Sequence, residues 1–303
     1  MLLVLTYSLD QISDDLIQML PSIPLFRFNI DLWRQYRWEI NDTTFAIEDP
    51  TGRRCEEASV RAVYLRKLIF DPPYLDVPAG GNEESWCREE LLQLFYGIRD
   101  LALASGKLAL VKPSAAVSKI RQMRTAKKWF PIPEWKAFHG TKDNGFSGGT
   151  VVKTFTATPV GKGAHLMVRE VDAACLSSEF PWFIQEQVPA SHDVTVVYVN
   201  GRLFSYELKR DFDGADSRIV TARDNPEWPP CEISSDEASG IRAMMGELGL
   251  TFGRFDFLRK NGRLYFLEVN PNGQWGWLDP FQTNGLYEAV AGEIRAVWER
   301  NKN

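Results

Sequence analysis

Gly253-Arg-Phe-Asp-Phe-Leu258 and, after a turn at Asn261-Gly262, Leu264-Tyr-Phe-Leu-Glu-Val-Asn-Pro-Asn-Gly273 form the most informative part of the chain. Two apolar runs around an Asn-Gly pair predict a β-hairpin, with strands over 252–258 and 263–269. Asp256 sits inside the first apolar strand. Glu268 and Asn270, two apart on the second, fall on one face of the sheet. Carboxylates set among Phe, Leu and Val are costly to bury alone, so they are expected to be paired or to hold a cation. Two carboxylates with an amide among them suit magnesium, which takes one or two carboxylates and fills its other positions with phosphate oxygens and water. The alternative is a hairpin whose polar side chains all face water.

Working outward, 194–199 and 202–208 around Asn200-Gly201 predict a second hairpin. The segment 234–248 reads as a helix capped by Gly249. Residues 150–154 and 182–187 are strand-like, and the glycine-rich stretch Gly145 to Gly149 reads as a mobile loop; 144–149 is either a lid able to fold over a ligand or a long exposed turn. A helix is expected over 116–129, stopped by Pro131 and Pro133. Nearer the start, 2–6, 26–30, 38–47, 62–65 and 108–111 read as strands, and 12–20 and 83–105 as helices. A last helix spans 284–300. The expected class is α/β (α+β), in three parts: 1–111, 112–188 and 189–303.

Bulk composition narrows the function. The chain has 303 residues, 44% hydrophobic and 25% charged, which is ordinary globular composition. A net charge of -5 gives no basic surface for nucleic acid, so no nucleic-acid partner is expected. No apolar run reaches the roughly 20 residues of a membrane helix, so no membrane partner is expected either. Cys55, Cys87, Cys175 and Cys231 lie far apart without metal or redox spacing, which suits a reducing, cytoplasmic setting. His139, His165 and His192 form no recognisable dyad.

Taken in order, these pieces resemble the ATP-grasp ligases, with a small α/β pre-ATP-grasp domain at the N-terminus. Asp256, Glu268 and Asn270 are similar to that family's metal-binding end. Lys119, in Ser118-Lys-Ile-Arg-Gln-Met-Arg, resembles its first nucleotide lysine, and Lys153, in Val151-Val-Lys, its second. Phe183-Ile-Gln-Glu-Gln-Val188 resembles the hinge strand that holds adenine, with Gln185 to Val188 supplying backbone groups and Glu186 beside them. Asp193 matches the acidic position used on the ribose. The resemblance thus implies ATP and Mg2+ as cofactors. The scheme is physically coherent, since lysines bring charge to the phosphates and carboxylates bring the cation that bridges them.

Within that family the chain looks most like the graspetide, or microviridin-type, macrocyclases related to ribosomal-protein glutamate ligases. Leu3-Val-Leu-Thr-Tyr-Ser, Val63-Tyr-Leu-Arg-Lys, Trp86-Cys-Arg-Glu-Glu and Asn270-Pro-Asn-Gly-Gln-Trp carry this likeness. Asp216-Ser-Arg stands where the group has Asp-Trp-Arg, which implies Arg218 at the γ-phosphate; a loop arginine paired with Asp211 or Asp213 is the other reading. Thr195, where the group has arginine, and Ser217 depart from the pattern. The implied activity is an ATP-dependent carboxylate ligase that forms ester or amide macrocycles in a precursor peptide with a leader region. Trp228, Trp275 and Trp277 are candidate anchors for that leader. A homodimer is expected because related enzymes form one. A small-molecule carboxylate-amine ligase and a non-catalytic nucleotide-binding carrier are the alternatives.

Overall fold

The structure, a computed structural model, describes residues 1–66, 68, 82–111, 118–140, 145–155, 169–211 and 226–302. The chain divides by packing into two compact units, one of residues 1–114 with 272–303 and one of residues 115–271. The sequence reading placed 272–303 in a third part running from 189; by packing these residues group with the N-terminal unit.

In the first unit, β1 (Leu2–Thr6), α1 (Gln11–Gln18) and β2 (Leu25–Asn29) open a parallel sheet. A three-stranded antiparallel sheet follows, of β3 (Arg37–Ile40), β4 (Phe45–Glu48) and β5 (Arg54–Glu56). Then come β6 (Ala62–Leu65), α2 (Asn82–Ala104) and β7 (Leu108–Ala109), which complete the parallel sheet in the order β2-β1-β6-β7. All five residues of β1 are buried, as a central parallel strand covered on both faces requires. Its Leu3 and Leu5 pack with Phe26, Phe28, Ile47, Phe95 and Ile98. The expected single strand over 38–47 is broken, because the Asn41 side chain accepts the Thr43 and Thr44 N–H groups at 3.0 Å and turns the chain. The closing helix, Leu286–Arg300, buries Leu286, Val290, Ile294 and Val297 at helical spacing. Trp275 is fully buried, with its ring 4.7 Å from that of Tyr287. It therefore cannot anchor a leader, whereas Trp277 is 40% exposed.

The second unit begins with α3 (Lys119–Ala126), whose N-cap Ser118 accepts the Arg121 N–H. Residues 112–117, where the expected helix was to start, lie outside the described ones. A small antiparallel sheet has the order β10-β9-β11-β8, with β8 (Trp135–Phe138), β9 (Thr150–Lys153), β10 (Arg169–Glu170) and β11 (Trp182–Glu186). The second sheet has the order β13-β12-β14-β15. Its hairpins are β12 (His192–Val199) with β13 (Arg202–Lys209), and β14 (Phe252–Lys260) with β15 (Arg263–Asn270). Both turn at Asn-Gly with both residues at positive φ, which only Gly and Asn adopt readily. Between the hairpins, α4 (Ser235–Leu248) carries a Ser234/Glu237 capping box and ends at Gly249 with φ 71°.

One face of this second sheet makes the core. Val194, Val196, Phe255, Phe257, Phe266 and Val269 pack against Met123 of α3 and Ile241, Met244 and Met245 of α4. The opposite face holds the site.

Candidate active site

A β-bulge sets the geometry. Asp256 pairs with Glu268 and Phe257 with Phe266, so Leu267 is an extra residue on β15. Were β15 to run regularly through Leu267, alternation would turn Phe266 and Leu264 out of the core and onto the face that carries Glu268. With the bulge, Leu264, Phe266 and Val269 all reach the core while Glu268 stands directly across from Asp256. β15 is an edge strand, and its outward N–H groups follow the same broken rhythm. The Leu264 N–H donates to Glu237 Oε1 at 3.0 Å, the Phe266 N–H to the Pro131 carbonyl at 3.0 Å, and the Val269 N–H to Gln122 Oε1 at 2.9 Å. Partners on the outer edge thus leave the bulged strand closed to further pairing.

Around the two carboxylates the structure gathers three cations. Lys119 Nζ lies 3.3 Å from Glu268 Oε2, and Arg254 Nη2 donates to Asp256 Oδ2 at 3.1 Å. Lys153, on β9 opposite Phe183, acts electrostatically on both carboxyls. Thr195, the cross-strand neighbour of Asp256, donates to Phe255 O at 3.0 Å and lies 3.3 Å from Asp256 Oδ1. Asn270 shares the Glu268 face by alternation and is exposed.

Charge splits the pair. Burial pushes the Asp256 carboxyl above the usual carboxylate range, and the Glu268 charge adds to this against the pull of Arg254. Burial also pushes Glu268 up, but Lys119 and Lys153 outweigh it and the net shift is downward. Glu268 is therefore the firmly ionised member, and Asp256 takes a proton first on acidification. Both are enclosed yet reachable, with side chains 28% and 32% exposed. Among the described residues no three His, Cys, Asp or Glu side chains cluster as a metal cage. Two carboxylates and an amide backed by lysines fit a cation shared with phosphate oxygens better than a metal held by protein alone.

The remaining expected residues fall near one another in the sequence order of the hinge. Gln185 lies within β11 between β8 and β9, and its side chain is buried with Nε2 3.6 Å from Met123 Sδ. The Glu186 N–H donates to the Glu134 carbonyl at 2.8 Å and the Gln187 N–H to Gly149 O at 3.0 Å. Val188 makes no backbone hydrogen bond among the described residues, which leaves its N–H and carbonyl available to a ligand. Asp193 is buried on the same sheet face as Asp256, where it accepts two bonds from Arg210 Nη1, at 3.0 and 2.8 Å. Of the loop read as mobile, the structure describes 145–149. Phe146 N–H donates to Thr150 Oγ1 at 2.9 Å, and a Cβ on Gly149, at φ 102°, would strike the Gln187 side chain. Arg218 and His165 lie outside the described residues.

Sequence reasoning missed Arg254 and Gln122. Arg254 is two residues from Asp256 and so shares its face, a signal that was legible. Gln122, one turn after Lys119, shows its role only once α3 is packed against β15.

No family model matches the chain, and no curated protein matches it by sequence. Solved structures do match. Macrocyclase MdnC from Microcystis aeruginosa MRC, bound with precursor peptide MdnA, is 19% identical with a TM-score of 0.77, covering 97% of this chain and 99% of that one. A RiPP-associated ATP-grasp ligase from Chryseobacterium gregarium, in complex with ADP and a leader and core peptide, is 16% identical with a TM-score of 0.78, covering 97% and 96%. D-alanine–D-alanine ligase from Bacillus anthracis, complexed with ATP, is 13% identical with a TM-score of 0.54, covering 99% and 97%. The chain has the mixed α+β ATP-grasp fold over nearly its whole length.

Proposed function

We propose that this chain is an ATP-dependent carboxylate ligase that closes ester or amide rings in a ribosomally made precursor peptide. The observation that carries the reading is the Asp256–Glu268 pair, split in charge and ringed by Lys119, Lys153 and Arg254 on the open face of an ATP-grasp sheet. The likeness over 97% of the chain to a macrocyclase and an ATP-grasp ligase, each bound to a peptide, supports a peptide as substrate.

In this reading Asp256, Glu268 and Asn270 hold magnesium, which neutralises and orients the phosphates of the substrate ATP. Lys119 and Lys153 add charge to the same phosphates. Backbone groups at Gln185 to Val188 receive adenine, with Glu186 beside them and Asp193 at the ribose. Arg218 is assigned to the γ-phosphate from the sequence resemblance. A peptide Asp or Glu carboxylate attacks the γ-phosphorus and ADP leaves; a Thr or Ser hydroxyl or a Lys amine then attacks the acyl carbon and phosphate leaves. Such chemistry asks the protein for positioning and charge neutralisation rather than a nucleophile. Arg254, beside the carboxylates, is placed to stabilise charge developing on the transferring group.

Among the described residues no helix is long and apolar enough to cross a membrane, and all four cysteines are free. These observations support a cytoplasmic setting. A second copy of the chain is proposed as the assembly partner. The test is mass spectrometry of a Thr- and Asp/Glu-bearing leader-core peptide incubated with the protein, ATP and magnesium. Loss of one water per ring is expected. ADP release with amino acids or dipeptides and an unchanged peptide would replace this reading with a small-molecule ligase.

A further inference from the structure

We propose that Gln122 is a positioning residue for the carboxylate pair, acting through the backbone between Glu268 and Asn270. This rests on the reading of those residues as magnesium ligands. Gln122 stands one turn after Lys119 on α3, so both side chains leave the same side of the helix. Lys119 Nζ lies 3.3 Å from Glu268 Oε2, and Gln122 Oε1 accepts the Val269 N–H at 2.9 Å. One turn of helix thus holds two successive residues of β15. Gln122 is 5% exposed, so this hydrogen bond is shielded from competing water.

Position along the strand gives the bond its consequence. β15 is an edge strand, and its ladder to β14 shifts register between Asp256 and Phe257. Past that shift only Glu268, Val269 and Asn270 still pair with β14, opposite Asp256, Phe255 and Arg254. A bulge disrupts the ladder locally, so the outer bond at Val269 fixes where Glu268 and Asn270 point. α3 is itself anchored elsewhere. Met123 Sδ lies 3.6 Å from Gln185 Nε2 of β11, Arg121 Nη2 donates to the Glu247 carbonyl at 3.3 Å, and Lys128 Nζ lies 2.6 Å from Glu247 Oε1. The helix is therefore a reference against which the short strand end is set. Magnesium accepts little departure from octahedral geometry, so a strand end released from Gln122 loses cation affinity before it loses its fold.

Calorimetry of a non-hydrolysable ATP analogue titrated into the full chain, with and without magnesium, tests this. Gln122→Met keeps side-chain volume without the acceptor, and Gln122→Asn keeps the amide but stops one methylene short. Each is expected to lose about 10-fold of the affinity gained with magnesium, with little change in its absence. Gln122→Glu presents an oxygen at the same reach and should keep the gain. Circular dichroism fixes a temperature at which every variant is folded. A lower unfolding temperature with the magnesium gain intact in folded Gln122→Met and Gln122→Asn would show a purely structural role and overturn the proposal, as would a gain lost equally in Gln122→Glu. A wild type without any magnesium gain would instead reject the metal reading, and this inference with it.

Discussion

The hairpins β12–β13 and β14–β15 start from the same signal and end differently. Both turn at Asn-Gly, yet β12 pairs with β13 without interruption from His192–Lys209 to Val199–Arg202, whereas β14–β15 shifts register between Asp256 and Phe257. The turn fixes where pairing starts; one inserted residue then decides which side chains face the core. In the regular hairpin the site face carries Thr195, Val197 and Asp193, side chains set by alternation alone. In the bulged one, Glu268 is rotated onto Asp256 while the apolar residues on either side keep their places in the core. Local irregularity thus builds the charged pair without opening the core beneath it.

Removing the charge from the bulged hairpin should have the largest effect. Glu268→Gln or Asp256→Asn keeps side-chain volume but removes a proposed metal ligand, and ATP turnover should fall by at least about 100-fold with the fold intact by circular dichroism. Deleting Leu267 should make β15 regular like β13. The deletion puts Phe266 directly before Glu268 and so on the opposite face, which keeps Phe266 and Leu264 in the core and Glu268 across from Asp256, and turnover should fall less than in Glu268→Gln. Gln122→Ala strands the Val269 N–H and should cost about 1–3 kcal/mol in urea unfolding. Smallest and most comparable are Gly201→Ala and Gly262→Ala, at φ 95° and 74° with nothing close to an added Cβ. Each should cost about 1 kcal/mol, and similar values would show that the turns themselves are equivalent.

The pair should also respond to pH in one direction. Asp256 is shifted up, so it protonates before an ordinary carboxylate, and magnesium affinity should begin to fall at a higher pH than an unshifted aspartate would give. Lys119→Ala removes a cation that holds Glu268 down and should move that onset to higher pH. Calorimetric titration of magnesium with a nucleotide analogue across pH reads both.

Much of this arrangement was legible because the strongest signals are local. Asn200-Gly201 and Asn261-Gly262 name their turns, and Ser234 with Glu237 and Gly249 bounds α4. Glu268 and Asn270, two apart, announce a shared face whatever happens further along the strand. The bulge was not legible, because Leu267 is apolar and continues either register; only the 264, 266, 269 spacing betrays it. β8 escaped notice because prolines precede it and Lys136 interrupts its apolar pattern. The break between β3 and β4 was hidden inside what looked like one long strand, since the Asn41 turn depends on a side chain rather than on glycine. Arg254 and Gln122 act through neighbours brought close only by folding, and no spacing rule assigns such roles.

The most direct test of the central claim is calorimetry of a non-hydrolysable ATP analogue titrated into the wild type and Glu268→Gln, with and without magnesium. The account predicts binding to the wild type that strengthens markedly with magnesium, and loss of that gain in Glu268→Gln. Equal affinity with and without the cation, or an unaltered magnesium effect in the variant, would contradict it.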